Sequence, residues 1–479
     1  MKKLDYIILG LILIIAFALR LYKIDAPIAD FHSWRQADTA SVGRNLERNG
    51  FDMMKPTYDD LSNLQSGLDN PTGLRFVEFP IYNAIFARLH SILPFFSLEV
   101  WARLVAVGFT LLCIASLYYI ALIEAGQIAA LFTALSYAIM PFFVYFTRVI
   151  LPESPAVSMA IFSICLLLLS SNAKSRKFQI GWFILSCVSF AVALLIKPTA
   201  IFYGLPLLII FIRKYKYSIP KQLHVLLYFI LAVAPLAAWR YYITNFPEGI
   251  PSSNWLFTQV NTSEGIKEIF MRPAFFRWIF YERLNNLILG GYLTVFFILG
   301  IIRKQKTYLP LSIIAAGFIY IFVFQGGNVQ HEYYQVIAFP AIALSIGLGV
   351  GLIIESTKTF LHPLFAMPMV ILLFSASFLF SWYQVKGYYA IPQDLILMAK
   401  IIKTFTAPSD KIIADRMGDT TLLYLADRKG APLLYREPDE MKSMGYKYIL
   451  TDKREIIDKL ILLNKEKLFE NTQFALFAL

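Results

Sequence analysis

Charge and cysteine are both scarce in this 479-residue chain: only 16% of residues are Asp, Glu, Lys or Arg, and 58% are hydrophobic. A soluble protein of that composition would have to hide more apolar surface than its geometry allows. The cysteines, Cys113, Cys165 and Cys187, all fall inside apolar runs, with no metal-ligand spacing and no evident disulfide framework. They therefore say nothing about the redox compartment. No internal repeat or low-complexity linker is present, and no glycine-rich phosphate loop marks the C-terminal segment.

What the chain has instead is long apolar runs. About 20 apolar residues in a helix cross about 30 Å of hydrocarbon. Runs of this kind lie near 5–22, 99–121, 127–146, 155–171, 180–196, 199–213, 223–242, 284–302, 308–325, 335–355 and 361–383. The expectation is a polytopic α-helical membrane protein with about eleven spans.

The net charge of +12 does not indicate nucleic acid, because the basic residues sit in short loops between runs. Lys2 and Lys3, Lys174, Arg176 and Lys177, Arg213, Lys214, Lys216 and Lys221, and Arg303, Lys304 and Lys306 form these clusters. Threading the runs from a cytoplasmic N-terminus puts every cluster on the cytoplasmic side, the positive-inside pattern. The N-terminus reads as a signal anchor, with a basic flank and no small-residue cleavage site before Arg20.

Three longer segments then lie outside: 23–98, rich in acids and aromatics; 243–283, whose Phe275–Tyr281 suits a helix in the membrane interface; and the tail, 384–479. In the tail, Lys411–Asp415 and Tyr446–Leu450 read as strands, and Thr420–Asp427, Glu437–Met444 and Arg454–Leu463 as helices. That alternation predicts a small C-terminal α/β extracytoplasmic domain, 384–479, behind a transmembrane domain, 1–383.

The chemistry is placed at the outer mouths of the runs. Asp30-Phe-His-Ser-Trp-Arg-Gln-Ala-Asp38 gathers acids, His32 and Arg35 just past the first run. A helix starting near Arg35 would put Arg35 and Asp38 on one face, and an ionised Asp38 there can accept a proton from a hydroxyl. Asp38 could equally cap the helix or pair with Arg35. Glu78, between aromatics, and Glu153, after Arg148, are acids at membrane depth, where ionisable groups are costly and commonly functional. Glu153 could also simply pair with Arg148. Lys197 interrupts an oily stretch at its outer end; it could bind a phosphate or snorkel to lipid. His331, Tyr333 and Tyr334 could reach a phosphate or sugar, or the tyrosines could be interface anchors. Together these residues suit a substrate with a phosphate head, a hydroxylated part and a lipid tail.

The organisation resembles glycosyltransferases of the GT-C fold, in particular bacterial relatives of protein O-mannosyltransferases and of the lipid A aminoarabinose transferase. Leu19-Arg20-Leu21, the Arg44–Leu46 segment with Gly50, Glu78-Phe-Pro-Ile-Tyr82, Arg148–Glu153, Lys197 and His331–Tyr334 with Pro340 match the family's order over residues 5–383. The family's adjacent Asp-Glu is replaced here by Arg35-Gln36, with Asp38 and Asp30 the nearest acids.

The resemblance implies sugar transfer from a polyprenyl-phosphate-linked donor to a glycan, lipid or protein acceptor. It also implies inversion of configuration and an outer-face site in a bacterial cytoplasmic membrane. Asp38 inherits the role of base, Lys197 holds the phosphate with Arg35 or His331, and Glu153 and Glu78 position the acceptor. No cofactor is certain, although a divalent cation could join the two acids. The rival readings are a transporter or polymerase of lipid-linked glycans, or a non-catalytic binder of them.

Overall fold

The computed structural model describes residues 2–252, 273–356 and 362–479. Part of the second outer segment, 253–272, and the start of the last apolar run lie outside these residues. The chain divides into two compact units.

The first unit comprises 1–24, 104–240 and 253–387, and its described residues are helical. Six described helices, including Leu98–Ala125, Glu153–Asn172, Arg176–Ile196 and Leu223–Ile243, are long and apolar enough to cross a membrane. The remaining expected spans are more charged, shorter or broken, for local reasons. Lys3–Arg20 carries Lys3, Asp5 and Arg20. The run 127–146 divides into Gln127–Ile139 and Pro141–Phe146, because proline cannot continue the first helix. The run 199–213 opens as a 3₁₀ turn, Pro198–Tyr203, before Gly204–Tyr215. The run 284–302 is interrupted at Gly290, where φ is +55° and a Cβ would lie 2.1 Å from the Ser377 carbonyl oxygen.

Two buried arginine and acid sites in this bundle are matched internally, as a low dielectric favours. Arg20 is fully buried and donates to Thr147 Oγ1 and to the carbonyls of Ala16, Tyr137 and Ala138. Arg213 pairs with the buried Glu124 at 2.8 Å.

The second unit comprises 25–103, 241–252 and 388–479. The first outer loop thus packs with the tail, rather than belonging to a 1–383 transmembrane domain. Five strands, β1 (Lys411–Asp415), β2 (Gly430–Ala431), β3 (Tyr446–Thr451), β4 (Lys467–Glu470) and β5 (Ala475–Ala478), form one sheet in the order β2-β1-β3-β5-β4. The first three run parallel, and β5 is antiparallel to β3 and β4.

Alternation along β1 sends Ile412 and Ala414 to one face with Met398, Ile402 and Leu423, and Ile413 to the other with Met441, Ile457 and Leu460. Helices therefore cover both faces. The β2 edge is closed by the first loop: Leu61 N donates to Gly430 O (2.6 Å), and Gly430 N donates to Asp59 O (2.9 Å).

Candidate functional site

The helix Ser33–Arg48 is built from polar residues, yet most of it is buried. It begins two residues earlier than Arg35, after His32, whose φ of +56° lies in the left-handed region. A buried polar helix is stable only if each side chain finds a partner. Arg35 pairs with Glu78, and both side chains are largely buried. Asp38 accepts from Arg75 at 2.6 Å and from the Thr420 hydroxyl at 2.7 Å. Asp38 therefore neither caps the helix nor pairs with Arg35.

Further along, Arg44 pairs with Asp59 (2.5 Å) and stacks 4.2 Å over the Tyr424 ring, and Arg48 clasps Asp427 through both nitrogens. Asp30 Oδ1 accepts from the neutral Gln36 amide at 2.7 Å. The His32 ring lies 4.2 Å from that of Phe31.

Asp60 adds a further buried acid. Its Oδ1 accepts from Ser62 N (2.8 Å), and Tyr58 O–H donates to Oδ2 (3.2 Å). Burial pushes its carboxyl up to about 6, against the opposing hydrogen bonds from Ser62. Asp427, beside Arg48, is held below the ordinary carboxylate range by that hydrogen bond.

The first unit holds the other candidates. Glu153 is the first residue of Glu153–Asn172, and Lys197 caps the end of Arg176–Ile196. These helices pack together in antiparallel sequence, so both residues come to the same end. Lys197 Nζ lies 2.8 Å from Glu153 Oε1, and Glu153 Oε2 is buried with no hydrogen-bond partner among the described residues. Arg148 is not the partner of Glu153; its Nη1 donates to the carbonyls of Tyr22 and Lys23, both at 2.9 Å.

The turn Glu332–Ala338 packs against the same helix Glu153–Asn172. There, Arg283 pairs with Glu332 at 3.0 Å, and the rings of His331, Tyr333 and Tyr334 lie 5.0–6.0 Å from one another.

The structure thus joins Arg35 to Glu78 in one unit, and Glu153 to Lys197, close in the fold to Tyr333 and Tyr334, in the other. Arg75, Thr420 and Arg283 were not picked out from the sequence. Each is an isolated polar residue without a motif, and only its partner gives it meaning. Among the described residues, no group of three His, Cys, Asp or Glu side chains is gathered that could hold a metal ion.

These features can be set beside known proteins. No curated protein matches the sequence. A crystal structure of ArnT from Cupriavidus metallidurans bound to undecaprenyl phosphate is similar, with a TM-score of 0.67 and 15% identity, over 100% of this chain and 98% of that one. The archaeal oligosaccharyltransferase AglB from Archaeoglobus fulgidus, in complex with an inhibitory peptide and a dolichol-phosphate, gives a TM-score of 0.62 at 12% identity, over 94% of this chain and 69% of that one. The chain therefore has the GT-C glycosyltransferase fold, and its residues 80–239 match the dolichyl-phosphate-mannose-protein mannosyltransferase family.

Proposed function

We propose that this protein is a membrane glycosyltransferase that moves a sugar from a polyprenyl-phosphate carrier to an acceptor hydroxyl at the outer face of a bacterial cytoplasmic membrane. The observation that carries the reading is the Glu153–Lys197 pair: a buried carboxylate with one oxygen on an ammonium and the other unmatched among the described residues. An unpaired buried acceptor is expensive, and a bound hydroxyl or protonated group would repay that cost. The pair sits at helix ends rather than mid-helix, which favours surface chemistry over a transport path. The lipid phosphates held by the ArnT and AglB structures support the same donor class.

In the reaction, the acceptor oxygen attacks the anomeric carbon as the bond to the carrier phosphate breaks. The electron pair leaves with the polyprenyl phosphate, and a single displacement inverts the configuration. Lys197 stabilises charge growing on the departing phosphate. The acceptor proton passes to an aspartate of the first loop. Asp38 has both oxygens committed, one to a guanidinium, so proton transfer there would first break a structural contact. Asp30, the loop's other candidate acid, whose Oδ1 accepts from the Gln36 amide, takes the role here. The remaining expected spans also cross the membrane, two of them by pairing a shortened helix with its broken or 3₁₀ extension. The second unit then faces outward.

The test incubates the purified full chain with polyprenyl-phosphate-linked sugars and a membrane-glycan extract, and measures released polyprenyl phosphate. Wild type should release it. Asp30→Asn should abolish release while remaining folded, and Lys197→Gln should raise the KM for donor. Normal release by Asp30→Asn would return the base to Asp38, and no release from any donor would sink the transferase reading.

A further inference from the structure

A second candidate site lies within the helical unit, at the opposite end of Glu153–Asn172 from Glu153, about 30 Å away along a 20-residue helix. Here the ends of Leu98–Ala125, Glu153–Asn172 and Gly204–Tyr215 leave a half-open cleft of about 190 Å³. A single water occupies about 30 Å³ of liquid, so the cleft has room for a multi-atom headgroup.

Its chemistry is divided. Ile123, Leu168 and Ile210 form an apolar wall, while Asn172, Arg213 and Lys214 form a polar mouth. Arg213 is held in place by Glu124, which is itself buried and also accepts from Thr307. Lys214 has no carboxylate partner among the described residues; its ammonium lies 5.4 Å from the Tyr215 ring. The mouth is therefore net positive, and the exposed Lys174, Arg176, Lys177, Lys216 and Lys221 lie close to its lining residues in sequence. Tyr217 beside it is fully exposed, the position of an interfacial aromatic.

An apolar wall beneath a fixed arginine and an available lysine fits an amphiphile with one anionic head. We propose that this cleft binds the phosphodiester headgroup of an anionic glycerophospholipid, with an acyl chain along Ile123, Leu168 and Ile210. A soluble anion would use the mouth and leave the apolar wall wet. A lipid matches both, and its binding would anchor the basic end of the bundle to a charged leaflet.

The experiment places the purified full-length chain in neutral detergent with equal phosphatidylglycerol and phosphatidylcholine, and counts retained lipids by native mass spectrometry. Phosphatidylglycerol should be retained at least tenfold over phosphatidylcholine. Lys214→Glu should erase that preference, whereas Lys216→Glu, outside the cleft, should leave it. Ile210→Trp, which fills the wall without changing charge, should also reduce retention tenfold. Equal retention of the two lipids, or a preference that survives Lys214→Glu, would overturn the proposal. So would displacement by millimolar inorganic phosphate or by substoichiometric polyprenyl phosphate, each of which would identify a different occupant.

Discussion

Glu153 and Asp60 are both buried acids, but their surroundings give them different work. Glu153 meets an ammonium through Oε1, and its Oε2 has no hydrogen-bond partner among the described residues. Asp60 has both oxygens matched by neutral donors and is raised to about 6 by burial. A raised carboxyl makes its contribution to stability below the unfolded value of 3.8, and that contribution is lost as pH rises through about 6. For a shift of this size the loss is on the order of 3 kcal/mol. Thermal unfolding of the detergent-solubilised chain should therefore show Asp60→Asn gaining on wild type at pH 7.5, with the gap narrowing at pH 5. A gap of equal size at both values would show that Asp60 carries no such penalty.

The helix Ser33–Arg48 shows what an element can hide. Its polar sequence suggests an exposed amphipathic segment, yet Arg35, Gln36, Asp38, Thr39 and Asn45 are all buried because each meets a partner from elsewhere in the second unit. Gly43 lets it approach Ile81–Ile92: a Cβ there would come within 2.1 Å of the Phe86 ring. Gly43→Ala should therefore overpack the contact. Helix propensity favours alanine by about 1 kcal/mol, and overpacking costs about 1–3 kcal/mol. A lowered Tm is the expected net result, and pairing the substitution with Phe86→Leu should restore it. An unchanged or raised Tm in the single variant would mean that Phe86 swings aside freely.

At the scale of the whole molecule, the tail and the first loop are one folded unit. The β2 edge is finished by residues 59–61, Thr420 reaches Asp38, and Asp427 holds Arg44 and Arg48. Removing 388–479 would take the Thr420 hydroxyl from Asp38 and Asp427 from Arg44 and Arg48, and a buried group that loses a partner destabilises the fold. The truncated chain should lose transfer activity and protease resistance in 25–103 together, as limited proteolysis and mass spectrometry would reveal. Retained activity with altered acceptor choice would instead make the tail a separable specificity module.

Membrane-type helices, and β1 and β3 with the three helices at Thr421, Pro438 and Arg454, were all legible in the sequence. They depend on hydropathy and periodicity summed over neighbours, which a linear string contains. Strands β4 and β5 escaped because short segments near a chain end carry little periodic signal. The short β2 is defined mainly by what pairs with it. The breaks at Pro141 and Gly290 were visible as residues, but their effect on span length was not.

Sequence alone therefore determined that this is a many-helix membrane protein with an α/β tail and acids at its helix mouths. Tertiary structure alone decided which partner each acid meets. Asp38 and Thr420 stand 382 residues apart, so no local window could join them. Arg148 passes over the nearby Glu153 for backbone carbonyls, leaving Lys197, from the next helix, to take the acid. A charge in a low dielectric takes the partner that geometry brings to it, and chain proximity is a poor guide to that geometry.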